Sequence, residues 1–178
     1  TEGTVEAWVN WRRPRAGGRF FSFWDWFNDM GVGTMPRQNQ PSLTFYISNI
    51  PPDQIGGLGQ RTMDLVNFAS VGFEVELRRW YHIAAVSGPG GMKLYCNGLL
   101  IATNAFKGSF ASIAGQPNVL GRHIVTKGQL SENQGFDGQL DECSLTLADR
   151  HRVEQEFKRV LLTIHHPRVK YPAQGEAK

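Results

Sequence analysis

Trp80-Tyr81-His82-Ile83-Ala84-Ala85-Val86-Ser87, then Gly88-Pro89-Gly90-Gly91, then Met92-Lys93-Leu94-Tyr95-Cys96-Asn97-Gly98 is the stretch on which the fold turns. Two runs rich in aromatic, aliphatic and β-branched residues flank four residues suited to a reversal, so the whole reads as a β-hairpin. Asn97-Gly98 then starts a second tight reversal into Leu99-Leu100-Ile101-Ala102-Thr103, because both residue types tolerate positive φ. Strand therefore follows strand with short connections.

The same period of two recurs on both sides of this hairpin. In Thr4 to Trp11, Val5, Ala7, Val9 and Trp11 fall on one face and Glu6, Trp8 and Asn10 on the other, as in a strand with one buried side. Arg12 to Gly18 breaks the pattern as a turn, and the aromatic run Arg19 to Phe27 reads as a second strand. Met30 to Pro41 is rich in Gly, Pro, Gln and Asn and reads as a turning segment before a strand at Ser42 to Ser48. Pro51-Pro52 ends that strand, since neither residue can donate to a ladder. Residues 53 to 62 read as an irregular excursion, and Met63 to Phe68 and Phe73 to Leu77 as strands on either side of Gly72. Val119 to Arg122 and Gly138 to Thr146 supply two later strands around a polar loop from His123 to Asp137. Many short strands with closely spaced turns give an all-β, antiparallel two-sheet jelly-roll sandwich.

One segment has the helical period instead. Val153, Phe157, Val160, Leu161 and Ile164 recur at spacings of three and four, Asp149 suits an N-cap and Pro167 limits the extent, so a C-terminal helix is expected over residues 149 to 162. The sandwich with this helix is expected to fill residues 1 to 165, and residues 166 to 178 to form a polar tail or linker. A chain of 178 residues suffices for one such domain without a disulfide framework. No apolar run reaches the roughly 20 residues needed to span a bilayer, so membrane insertion is excluded. The formal net charge is only +3, with basic residues spread through Arg12-Arg13, Arg78-Arg79, Arg150-Arg152 and the tail, which argues against a nucleic-acid partner. Cys96 and Cys143 lie far apart in alternating apolar runs, which excludes a structural zinc site and suits two inert core thiols, the preferred reading, or a disulfide.

Four ordered segments carry a family resemblance: Thr4-Val5-Glu6-Ala7-Trp8-Val9, Trp80-Tyr81-His82-Ile83-Ala84, Leu94-Tyr95-Cys96-Asn97-Gly98 and Phe136-Asp137-Gly138-Gln139-Leu140-Asp141-Glu142. Together with Asn118-Val119-Leu120-Gly121, they resemble the laminin-G-like jelly-roll group of the concanavalin A-like lectin/glucanase superfamily over residues 4 to 157. The resemblance implies a twisted two-sheet sandwich with ligand sites on its concave face or rim loops. It also implies a glycan or extracellular protein as partner, and a secreted, cell-surface or periplasmic location. Members usually begin with an extra strand that pairs with the last one. Its absence here implies a domain of a larger chain, or an edge covered by another element such as the C-terminal helix. Calcium-binding relatives carry an acidic pair after a segment like Phe21-Ser22-Phe23 and an acidic cluster after one like Leu120-Gly121. Asn28-Asp29 could mimic the first, but Arg122-His123-Ile124-Val125 offers no carboxylate for the second, so no cofactor is expected and calcium would be short of oxygen ligands.

Catalysis on this fold needs paired carboxylates a few ångströms apart. Glu74 and Glu76 would share a face of one strand, but the relatives' Glu-x-Asp-x-x-Glu pattern has Arg79 at its third carboxylate position here. Asp141 and Glu142 would point to opposite faces, and His82 reads as structural. A binding module is therefore expected, with no catalytic or metal-binding residue. Its candidate site is the aromatic platform Trp24, Asp25, Trp26, Asn28 and Asp29, because sugar rings stack on flat aromatic surfaces while nearby amides and carboxylates take hydroxyls. Arg122 and His123 form a second candidate on the rim by analogy with relatives.

Overall fold

The computed structural model describes residues 2–24, 28–37, 40–49, 66–72, 75–113, 118–122 and 135–147. Its ten strands are β1 (Gly3–Arg13), β2 (Gly18–Trp24), β3 (Asn28–Arg37), β4 (Gln40–Asn49), β5 (Val66–Gly72), β6 (Trp80–Ser87), β7 (Met92–Cys96), β8 (Leu99–Asn104), β9 (Val119–Leu120) and β10 (Asp137–Leu147). They form two antiparallel five-stranded sheets in the orders β10-β1-β6-β7-β8 and β5-β4-β3-β2-β9. The all-β sandwich expected from the sequence is the fold. Among the described residues the helical structure is a 3-10 turn at Phe110–Ser112; the helix expected over residues 149 to 162 and the tail from 166 lie outside them.

Alternation along β1 places Val5, Ala7, Val9 and Trp11 fully in the core, facing Phe21, Phe23, Met30, Val32, Leu43, Phe45 and Ile47 of the second sheet. Trp11 ties the layers together. Its ring meets Phe20 and Tyr81 edge-on, at 6.1 and 5.8 Å, and its Nε1 donates to Thr34 Oγ1 across the sandwich at 3.3 Å. Phe110 plugs one end, with its ring 5.9 Å from that of Phe23 and 6.3 Å from that of Phe45.

Three readings of the sequence need correction. Met30 to Arg37 is not a turning segment: Asn28–Arg37 is a full strand paired with both β2 and β4, and its ladder with β4 runs on to the Arg37–Gln40 pair. Its glycines are there for space. A Cβ on Gly31 would lie 2.4 Å from the Tyr46 ring, and one on Gly33 would lie 2.3 Å from the Gly18 carbonyl oxygen. Secondly, Val66–Gly72 is one strand, and Glu76 to Arg79 forms an irregular turn with Arg78 at φ 63°; Met63 to Leu65, Phe73 and Glu74 lie outside the described residues. Thirdly, within β10, which pairs with β1 and stands at the edge of its sheet among the described residues, a bulge at Glu142, with φ 46°, breaks the alternation, and Asp141 and Glu142 are both exposed instead of facing opposite ways.

Cys96 lies on β7 and Cys143 on β10, with β1 and β6 between them in the same sheet. Three interstrand steps of about 4.8 Å separate their strands by about 14 Å, far beyond the roughly 5.5–6 Å a disulfide spans between Cα atoms. Both are free thiols. Burial, assisted by Asp141, pushes the Cys143 thiol up to about 11.

Candidate functional site

The face of the second sheet turned away from the core is polar, yet it is buried. Register sorts it into three rows. Arg19, Gly33, Thr44 and Ser70 form the first; Ser22, Gly31, Tyr46 and Phe68 the second; the positions of Trp24, Asp29, Ser48 and Val66 the third. Such a face normally meets water, but Arg19 is 8% exposed, Asp29 1%, Ser22 1%, and Thr44 and Ser48 0%.

Their interactions form a belt across the strands. Because Gly31 carries no side chain, the Tyr46 ring lies flat over it, and its hydroxyl donates to Asp29 Oδ2 at 3.1 Å. The Arg19 guanidinium stacks on the same ring, 4.7 Å from its centre, and Phe68 flanks it at 6.2 Å. Thr44 and Ser70 share a hydroxyl–hydroxyl hydrogen bond of 2.8 Å, while the buried Ser48 Oγ has no hydrogen-bond partner. A cation, a carboxylate, an aromatic ring and several hydroxyls therefore share one sheet face. Buried as it is, that set orders the sheet face and fixes what stands at its ends.

The expected platform lies at one end of this face. Trp24 stands opposite Asp29 in the ladder, and Asn28 opens β3 opposite Asn49; Asp25 and Trp26 lie outside the described residues. Simple alternation along β2 would set Phe20 and Phe21 on opposite faces, but it does not hold there. A bulge between Arg19 and Phe21 turns both Phe20 and Phe21 into the core, at 1% and 2% exposure. Asp29 is enclosed and hydrogen-bonded, so it does not present an open carboxylate to the rim. Arg122 is half-buried just past β9, where the neighbouring Gly121 bonds to Phe20 and Phe136. That is the end of β2 opposite to Trp24, so the two candidate groups are not brought together; His123 lies outside the described residues.

Arg19, Tyr46 and Thr44 were missed by sequence reasoning, although a signal existed. In Ser42-Leu43-Thr44-Phe45-Tyr46-Ile47-Ser48 the residues between the core positions Leu43, Phe45 and Ile47 are hydroxyl-bearing throughout.

Glu76 is not on a strand. Its exposed carboxylate takes a 2.8 Å ion pair from Arg79, whose guanidinium is held further into its protonated range by that bond; Glu74 lies outside the described residues. His82, on the outer face of the first sheet, has its Nε2 3.4 Å from Glu6 Oε2 and its ring 5.4 Å from that of Trp8. Among the described residues no three His, Cys, Asp or Glu side chains converge as metal ligands. A shallow cleft of about 20 Å³ opens between Phe23, Phe110, Asn118 and Leu145, and among the described residues no titratable group lines it.

Several solved structures share this architecture. The CBM40 of the Ruminococcus gnavus IT-sialidase superposes with a TM-score of 0.55 at 16% identity, covering 87% of this chain and 82% of its own. The native heptameric SAP-like pentraxin of Limulus polyphemus gives 0.50 at 15% identity, covering 85% and 67%. A putative carbohydrate binding protein of Bacteroides ovatus gives 0.50 at 17%, covering 86% of this chain, which spans 40% of that longer one. Comparison with curated protein sequences returns no match. The family model described as the concanavalin A-like lectin/glucanases superfamily matches residues 1–148, joining the sequence segments to the two-sheet geometry: the chain belongs to that superfamily.

Proposed function

We propose that this chain is a non-catalytic carbohydrate-recognition module of a larger exported protein, and that it binds glycan over the outer face of the second sheet. Trp24, Asp25, Trp26 and Asn28 would meet the glycan at one end of that face, with the buried Asp29 ordering the sheet beside them. The observation that carries this reading is the belt of Arg19, Tyr46 and Asp29. Burying a cation, a carboxylate and several hydroxyls on a sheet face away from the core costs stability unless they are matched, which supports a role in ordering a site over a role in packing alone. The Ruminococcus gnavus CBM40 was solved with α2,3 and α2,6 sialyllactose bound, which supports a saccharide as the ligand class. Catalysis by Glu76 is disfavoured because its carboxylate is spent on Arg79 in an exposed turn.

The test is a glycan array probed with the wild type, Trp24→Ala, Trp26→Ala and Tyr46→Phe. We expect at least a tenfold loss on bound glycans for each variant, equivalent to one contact of about 1.4 kcal/mol. Binding indifferent to all three changes would remove the platform, and folded protein that binds no glycan would support an adhesive spacer instead. Reducing-sugar release that disappears in Glu76→Gln would replace the reading with that of a glycan hydrolase. A melting temperature unmoved by chelator is expected, since the module needs no ion.

A further inference from the structure

The arginine pairs that look scattered along the sequence are gathered by the fold at one end of the sandwich. Arg12, Arg13 and Arg15 surround one carboxylate, Asp137, at 3.7, 2.8 and 3.5 Å, and Asp137 is nearly enclosed by them. Arg78 donates its backbone N–H to the Trp11 carbonyl at 2.9 Å, which sets Arg78 beside Arg12 across β1 and β6, with Arg79 next to it. Arg122 adjoins the same end, because the carbonyl of Gly121 accepts the N–H of Phe136, the residue before Asp137. Six arginines and two acidic residues, Asp137 and Glu76, are therefore gathered among the described residues of this end, four of the arginines in ion pairs with those two carboxylates, in a chain whose whole formal net charge is +3. The side chains of Arg12 and Arg13 remain 57% and 64% exposed, so their ion pairs leave most of each fork open.

A flat apolar surface lies next to this charge. Trp80 starts β6 opposite Asn10, one step along the same face from Arg12, and its indole is 39% exposed. Exposed indole next to uncompensated guanidinium matches a ligand that combines an apolar ring face with an anionic substituent. The indole stacks on the ring, and a guanidinium fork takes a carboxylate or sulfate through two parallel hydrogen bonds.

We propose that this rim, centred on Arg12, Arg78 and Trp80, is a second binding site that takes an anionic polysaccharide through uronate carboxylates or sulfate esters. The proposal rests on the carbohydrate reading above for the class of ligand, but not for the place, which is another face at the opposite end from Trp24. A polysaccharide fits better than a nucleic acid. Duplex DNA carries a charge about every 1.7 Å, so this local excess would neutralise only a few ångströms of it. A glycan with one acid group every sugar or two needs no denser patch than this one.

The probes are polygalacturonate and dextran sulfate, with methyl-esterified polygalacturonate and plain dextran as neutral counterparts, measured by affinity electrophoresis at 20 and 200 mM salt. Wild-type protein should bind at least one charged polymer at least tenfold more tightly than its neutral counterpart, and which one identifies the acid group. Arg12→Gln combined with Arg78→Gln should lose at least tenfold, Arg12→Lys with Arg78→Lys should recover only part of that, and Trp80→Ala should weaken binding at both salt concentrations. The glutamine variant should leave glycan-array binding by the second-sheet site unchanged, which separates a failure of this proposal from a failure of that reading. The proposal is overturned if neither charged polymer binds at 20 mM salt, if the glutamine variant with an unaltered melting temperature binds as the wild type does, or if duplex DNA binds more tightly than both polymers.

Discussion

Breaking the belt at Tyr46 should cost stability in a way that identifies the bond responsible. Tyr46→Phe keeps the ring over Gly31 and under Arg19 but removes the hydroxyl that donates to Asp29 Oδ2 at 3.1 Å. Asp29 is 1% exposed, so water cannot readily replace that donor. A hydrogen bond to a charged acceptor contributes about 1.5–3 kcal/mol, so Tyr46→Phe should destabilise by about 2 kcal/mol. Asp29→Ala should cost at least as much, since it strands the Tyr46 hydroxyl and leaves a gap. Once the carboxylate is gone, the phenol has lost the partner it served, and the double variant should be about 1.5–3 kcal/mol more stable than the sum of the single changes predicts. Urea unfolding of the four proteins measures this. With an m-value of about 1–3 kcal/mol/M, a 2 kcal/mol loss moves the midpoint by roughly 0.7–2 M. Additivity within about 0.5 kcal/mol at constant m would show that the two side chains do not act as a pair, and the belt would then be a coincidence of packing.

Three further outcomes are expected. Trp11→Ala should cost about 3–5 kcal/mol, because it empties the seam where both sheets meet and orphans Thr34, whereas Trp11→Phe should cost less; equal unfolding midpoints for the two would refute this role. Gly31→Ala should displace Tyr46, since its Cβ would lie 2.4 Å from the ring, and should lower both stability and glycan binding, while Gly72→Ala, with open space around it, should do neither. Under denaturing, non-reducing conditions a thiol assay should count two free cysteines per chain. Because the folded Cys143 thiol stands at about 11 against an ordinary value of 9.0, its contribution to stability is complete below pH 9 and is lost as pH rises towards 11. That loss is about 2–3 kcal/mol and should be absent in Cys143→Ala.

How much of this was legible depended on whether a residue's role is local. The hairpin of Trp80 to Cys96 and the Asn97-Gly98 reversal were readable because turn chemistry is encoded in adjacent residues, and Asn97 and Gly98 do take positive φ, at 50° and 79°. The core face of β1 followed from strict alternation. β3 was misread because its glycines resemble turn residues, and only the ring of Tyr46 and the backbone of Gly18, both distant in sequence, reveal that they make room inside a sheet. Phe20 escapes the alternation of β2 for a related reason: one bulge reverses which side chain faces inward, and composition does not announce a bulge. At the candidate site, Asp29 was nominated from its neighbours in sequence, whereas its partners Tyr46 and Arg19 come from other strands.

The arginines make the same point about function. Counted along the chain they argue against a nucleic-acid partner, because no run is dense; placed by the fold, Arg12, Arg13 and Arg15 surround one carboxylate at a single end. The two proposed sites are also physically independent. β2 runs from Gly18 near the arginine end to Trp24 at the platform end, six steps of 3.3 Å or about 20 Å. At that separation changes at the two sites should add, and neither should alter the other's intrinsic affinity. A short oligosaccharide could occupy only one site at a time, whereas a polymer long enough to reach both would bind more tightly than either site alone allows, by raising the effective concentration of its second segment. Affinity that rises with the chain length of an acidic glycan in the wild type, but stays flat in either Trp80→Ala or Trp24→Ala, is the signature expected of that arrangement. A rise that survives both changes would place the polymer somewhere else on the molecule.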